Sequence, residues 1–278
     1  MDEIKSILLH LDASTGATQR LHVAQRLATA VGAQLEVLYA VTPALLQYPM
    51  AASADSQLAA MLATIDVETR QRVRAAFDRA RVAAGVPDLR WQETGNDPIN
   101  EFKRKAFASD LLVLAQVDPD EKQQSQAPID FAPTVLIETG RPALMLPYIH
   151  TGADFGQTVL VAWKDSPASA RAVTAALPML RLAKAVHVAS WEESDDVIGG
   201  QALPVERFLT RHGITAKIHR CGRPTADLGE LLLSMATDVQ ADLLVMGCYG
   251  HSRAREWLLG GATRTMFQSM TVPVLMAH

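Results

Sequence analysis

The apolar run Ala241-Asp242-Leu243-Leu244-Val245 leads directly into Met246-Gly247-Cys248-Tyr249-Gly250-His251-Ser252-Arg253, and further on stands Gly260-Gly261-Ala262-Thr263. A strand-like run that ends on a glycine turn, with a second glycine pair where a helix opens, is how an α/β domain brings bare backbone amides up to a phosphate chain. The stretch therefore reads as the fourth strand and phosphate loop of a parallel α/β domain, and nucleotide binding is the first hypothesis it raises.

Working outward, the chain repeats itself. Ile7-Leu8-Leu9-His10-Leu11-Asp12-Ala13-Ser14 lines up with Val159-Leu160-Val161-Ala162-Trp163-Lys164-Asp165-Ser166. Ser109-Asp110-Leu111-Leu112-Val113-Leu114 lines up with Ala241 to Met246, and Arg141-Pro142-Ala143-Leu144-Met145-Leu146 with Val272 to Ala277. Similarity in the same order over half the chain argues duplication of a whole domain, not a solenoid of short units. The polar stretch after Ile149 places the copies at 1–150 and 156–278.

In the second copy the pattern predicts strands near 158–163, 185–190, 215–220, 241–246 and 273–277. Helices are predicted near 167–182, 200–212, 225–239 and 261–270, and the first copy opens with helices at about 16–31 and 55–84. Leu228, Leu231, Leu232 and Met235 give helix 225–239 one apolar stripe. Ser166-Pro167 reads as a cap followed by proline at the first helical position, Arg223-Pro224-Thr225 as a similar start, and Pro178 as a kink or early stop. Near-continuous apolar strands joined by helices need both sheet faces covered, which implies two open, doubly wound parallel sheets.

Composition narrows the function. With 49% apolar residues, 20% charged and a net charge of -4, the 278 residues can bury compact cores but present no basic field for nucleic acid. No apolar stretch approaches the ~18 residues of a membrane span and no signal peptide is legible, so a cytoplasmic protein is expected. Cys221 and Cys248 lack zinc or disulfide spacing and read as reduced thiols. His10 reads as a strand histidine in the core, and Trp163 and Trp257 as packing residues.

The order of these pieces and the spacing Gly247, two residues, Gly250, nine residues, Gly260 resemble the ATP-binding signature of the universal stress protein family, as two tandem copies over essentially the whole chain. The resemblance implies a Rossmann-like fold of five parallel strands in the order 3-2-1-4-5, with an adenine nucleotide (ATP, ADP or AMP, with or without Mg) at the carboxyl ends of strands 1 and 4. It puts the contacts on Lys164, Asp165 and Ser166 at the first turn and on Val188 in the adenine pocket. Met246 and Gly247 would lie under base and ribose, Gly250 and His251 in the loop, and Gly260, Gly261, Ala262 and Thr263 at the phosphates. It also implies Ala143 to Tyr148 antiparallel to Val274 to His278, an internal pseudo-dimer of the copies, with a homodimer expected beyond it.

Two departures stand out in the second copy: Gly261 replaces the Ser or Thr that follows the third glycine, and Lys164 replaces the strand-1 aspartate that the first copy keeps as Asp12. The first copy has Ala115-Gln116-Val117-Asp118 in place of the glycine turn and no glycine from Pro119 to Pro133, so it is expected to be a scaffold that does not bind ATP. Its run Asp118 to Ser125 reads as a solvated loop. No nucleophile with its base, metal cluster or Walker-type loop is legible, and the chain is not expected to be an enzyme. The alternatives are a nucleotide-independent stress protein acting through protein contacts and an adenylating hydrolase related by fold alone.

Overall fold

The computed structural model describes residues 3–50, 55–84, 89–121, 126–128, 130–149, 152, 154–191, 203–248 and 261–278. The chain divides into an N-terminal unit, Ile4–Thr139 with Thr151–Ala153, and a C-terminal unit, Gly140–His150 and Asp154–His278 with Met1–Glu3.

In the N-terminal unit β1 (Ser6–Leu11), β2 (Gln34–Tyr39), β3 (Arg90–Glu93) and β4 (Leu111–Ala115) run parallel in the order β3-β2-β1-β4. Its helices are α1 (Ala17–Val31), α2 (Ala44–Gln47), α3 (Ser56–Ala84), α4 (Pro98–Ala106) and α5 (Phe131–Thr139). Ile7, Leu8 and Leu9 of β1 and Leu111 to Leu114 of β4 are buried side by side, as expected of strands covered on both faces.

In the C-terminal unit β6 (Thr158–Trp163), β7 (Ala185–Trp191), β8 (Lys217–Cys221), β9 (Leu243–Gly247) and β10 (Val274–Ala277) are parallel in the order β8-β7-β6-β9-β10, the expected 3-2-1-4-5. Its helices are α6 (Pro167–Leu182), α7 (Pro204–Arg211), α8 (Leu228–Asp238) and α9 (Ala262–Ser269). β5 (Ala143–Leu146) joins this unit, antiparallel to β10, with Met145 opposite Val274, Leu144 opposite Leu275 and Ala143 opposite Met276. The expected pairing of these segments is thus present, and it covers an edge of β10 that would otherwise offer unpaired amides.

The repeated aspartate of each copy has one structural job. The Asp242 carboxylate accepts hydrogen bonds from the amides of Gly156, Gln157 and Thr158 at 2.9 to 3.0 Å. Asp110 does the same for Lys5 and Ser6, each at 2.9 Å. Each carboxylate thereby fixes where its first strand enters beside its fourth.

Two helix expectations need correction. α6 is capped by Ser166, whose Oγ accepts from the Ser169 amide at 3.2 Å, but Pro178 does not end the helix, which continues to Leu182. Ala176, Leu177, Met179 and Leu180 around it are buried, and that packing outweighs the roughly 3 kcal/mol that an interior proline costs. α8 starts at Leu228, later than expected, because its cap is Asp227 and not the Arg223-Pro224-Thr225 segment. Asp227 Oδ1 accepts from the Gly229 and Glu230 amides at 2.9 and 3.2 Å.

Candidate functional site

In the C-terminal unit the chain steps from β6 out through β7 to β8, then returns to the other side of β6 as β9. Strand order reverses between β6 and β9, and in open α/β sheets the crevice at the carboxyl ends of such a pair is where ligands bind. Lys164 and Asp165 are exposed at the turn after β6, and Trp163 Nε1 donates to Asp165 Oδ1 at 2.9 Å. Ser166 is half-buried, its Oγ committed to the α6 cap and 3.1 Å from Ser169 Oγ.

Met246 and Gly247 end β9. Met246 is buried, paired with Ala162 on one side and Met276 on the other. Gly247 is glycine for a steric reason: a Cβ there would lie 2.5 Å from the Ser169 amide nitrogen and 2.7 Å from the Ala168 carbonyl carbon. The strand end therefore presses bare backbone onto the first turn of α6, where the positive end of the helix dipole lies.

Gly261 is the N-cap of α9 in extended conformation and contributes no side-chain oxygen; Ala262 is half-buried and Thr263 buried. Gly250, His251 and Gly260 lie outside the described residues, as does Trp257. Val188 departs from its expected placement. It sits within β7, beside Val161 and Ile218, and has no exposed surface. The strand runs on to Trp191, so Ser190 and Trp191 occupy the carboxyl end in its place.

Sequence reasoning missed the Asp227, Gly229 and Thr265 cluster. Asp227 Oδ1 also accepts from Thr265 Oγ1 at 2.8 Å, tying the first turn of α9 to that of α8, and a Cβ on Gly229 would meet Thr265 Cβ at 2.5 Å. The pattern Asp227-x-x-Glu230 was the available signal, since an acidic cap three residues before Glu marks a helix start.

The same positions are filled differently in the N-terminal unit. Asp12 is buried and forms a short ion pair with Arg20, and it accepts from Ser14 Oγ at 2.6 Å. Burial works to raise its carboxyl, but Arg20, His10 and the Ser14 hydrogen bond together hold it below the usual carboxylate range. His10 is stacked on Phe131 at 4.0 Å between centroids, and its Nε2–H donates to the Ala40 carbonyl at 2.8 Å. Burial pushes its imidazole down to about 4, so it is neutral at pH 7. The Glu121 carboxylate accepts from the Thr15 amide at 3.0 Å, just ahead of α1. His10 and Phe131 correspond in position to Ala162 in β6 and Ala262 in α9. The N-terminal copy thus holds two stacked rings, an internal ion pair and its own carboxylate where the C-terminal copy holds alanines and an exposed lysine.

A sheet wound both ways from a central pair, with glycine backbone set against a helix N-terminus at its carboxyl edge, defines a doubly wound, Rossmann-like α/β domain. Residues 156–278 match the model of the universal stress protein family and form a domain of that family. The structure is similar to a universal stress protein from Archaeoglobus fulgidus DSM 4304, at 16% identity and TM-score 0.70 over 98% of this chain and 96% of that one. It is similar also to a functionally unknown protein from Pseudomonas aeruginosa PAO1, at 17% identity and TM-score 0.57 over 98% and 92%. Coverage of both copies at these identities shows a shared fold. A shorter universal stress protein solved in complex with cAMP covers 52% of this chain and 98% of its own at 19% identity, with a TM-score of 0.34, too loose a likeness to bear on the ligand. No curated protein matches the chain. Among the described residues no helix is long and apolar enough to cross a membrane, and no three metal-ligating side chains gather.

Proposed function

We propose that the protein is a stress-response regulator whose C-terminal domain holds an adenine nucleotide, ATP or its ADP and AMP relatives, with or without Mg, and that it is not an enzyme. The observation that carries this reading is Gly247, whose backbone lies so close to the amide of Ser169 that no side chain fits at the end of β9. Base and ribose would rest on Met246 and Gly247. The amides of Gly261, Ala262 and Thr263, together with the loop residues Gly250, His251 and Gly260, would meet the phosphates at the positive end of α9. Lys164, exposed at the end of β6, would supply the counter-charge that the missing hydroxyl at 261 does not. A cytoplasmic homodimer belongs to the same reading.

Gly260→Val is expected to abolish the heat of ATP binding in calorimetry while leaving the circular dichroism unchanged; retained affinity would count against the proposal. One observation favours a second reading, in which the crevice stays empty and the protein acts through protein contacts: Asp165 is bonded to Trp163 and Ser166 is consumed as a cap, so neither is free for a ligand. Mass spectrometry after a mild purification separates the two, because only the first expects a co-purified adenine nucleotide.

A further inference from the structure

The N-terminal unit has a hollow that the nucleotide reading does not use. It lies between α1 and α3 beside the end of β1, with a volume of about 330 Å³, at the small end of the several-hundred-Å³ range of ligand pockets. Leu21, Val73 and Phe77 give it an apolar wall, and Arg72 and Arg79 of α3 also line it. Among the described residues that line it none is acidic, and Leu11, Ala13, Ser14 and Thr15 bring the turn after β1 into its wall, so it opens on the α1–α3 side of that turn.

The charge at this hollow is not consumed locally. Neither Arg72 nor Arg79 forms an ion pair among the described residues; the hydrogen bond of Arg72 is a long one, 3.5 Å, to the Ala13 carbonyl. Arg74 and Arg81, on the same helix, are instead paired with Asp78. The amide of Thr15 is already taken by Glu121, and Asp12 is neutralised by Arg20, so the helix end at α1 is not what would attract an anion. What remains is an apolar recess with two guanidinium groups, whose planar forks match carboxylate geometry.

The geometry points to a binding site, between α1 and α3, for a small amphipathic carboxylate: its apolar body lies against Leu21, Val73 and Phe77, and its head is held by Arg72 and Arg79. Desolvating the hydrocarbon drives entry, and the arginines select the charged head. The copy whose switch-point crevice is filled by its own side chains would then serve as a second, chemically different sensor.

The test is a titration of the full-length protein with octanoate, followed by amide chemical shifts. Saturable shifts are expected at Thr18, Leu21, Val73 and Ala76, with octanol and acetate each at least about tenfold weaker because one lacks the head and the other the body. Arg72→Gln should weaken octanoate about tenfold, and Ala76→Trp, which fills the recess, should remove the shifts. Arg72 is exposed, so its variant tests the idea even if Trp at 76 prevents folding. Absence of saturation by octanoate, equal binding of octanol, or unchanged affinity in Arg72→Gln would overturn the site. ATP affinity is expected to be the same in Arg72→Gln as in the parent, which keeps this test separate from that of the C-terminal domain.

Discussion

The turn after the first strand is built twice in this chain, and the two versions solve opposite problems. After β1, Asp12, Arg20 and Ser14 close on one another, Glu121 occupies the Thr15 amide, and His10 stacks on Phe131. After β6, Lys164 and Asp165 are exposed, and alanines stand at 162 and 262 where the first copy has the two rings. Both turns share the aspartate clamp on the first strand and the same strand order, so the fold does not require either solution. A doubly wound unit can be stabilised by filling its own crevice, or it can leave polar backbone for a ligand. The difference lies in a few side chains.

The largest expected effect comes from breaking the filled copy. Asp12→Ala would leave Arg20 buried without its countercharge, and Arg20 Nε already has no hydrogen-bond partner. A loss of about 3–5 kcal/mol in urea unfolding is expected. A loss below about 1 kcal/mol would mean that the pair is solvated and the crevice not closed.

Acid should act on the same copy. The unfolded His10 takes up a proton below pH 6.5, whereas the folded ring resists until about 4, so the unfolded state binds more protons in that window. Stability therefore falls as pH drops from 6.5 to 4, by at most about 3 kcal/mol, and this contribution does not grow further below that. His187 and His219, hydrogen-bonded at 2.9 Å, are also held below their ordinary value, first by burial, and act in the same direction. His10→Phe should remove the steeper part of the slope, and an unchanged slope would place the acid sensitivity in the C-terminal unit.

A smaller effect is expected in the open copy. Gly247→Ala forces a methyl group onto the Ser169 amide and should cost about 1–3 kcal/mol as α6 shifts. It should also weaken ATP. A variant of full stability and full affinity would show that β9 and α6 part easily.

These contrasts were unevenly legible in the sequence. The strands themselves and the start of α6 followed from apolar runs and a Ser-Pro cap, which are local or periodic signals, whereas the strand order and the pairing of β5 with β10 came only from the resemblance to the universal stress protein family. The absence of the glycine turn in the first copy was visible as Ala115 to Asp118, but the side chains that pack at its first turn were not. Phe131 is remote from His10 in sequence, and Arg20, though on the helix that follows Asp12, carries no local mark of an ion pair, so that only the folded chain brings these side chains together. Val188 was put in the adenine pocket on the resemblance alone; β7 ends at Trp191, one residue later than expected, and leaves Val188 buried between Val161 and Ile218. Asp227 was overlooked for Pro224 because proline is the louder start signal, although the carboxylate is the group that satisfies the amides.

The central claim is that one copy binds an adenine nucleotide and the other has replaced it with its own side chains. Calorimetric titration of the full chain with ATP tests this most directly. The account expects one nucleotide per chain, none in Gly260→Val, and still one in Glu121→Ala. Two per chain, or one that survives Gly260→Val, would contradict it.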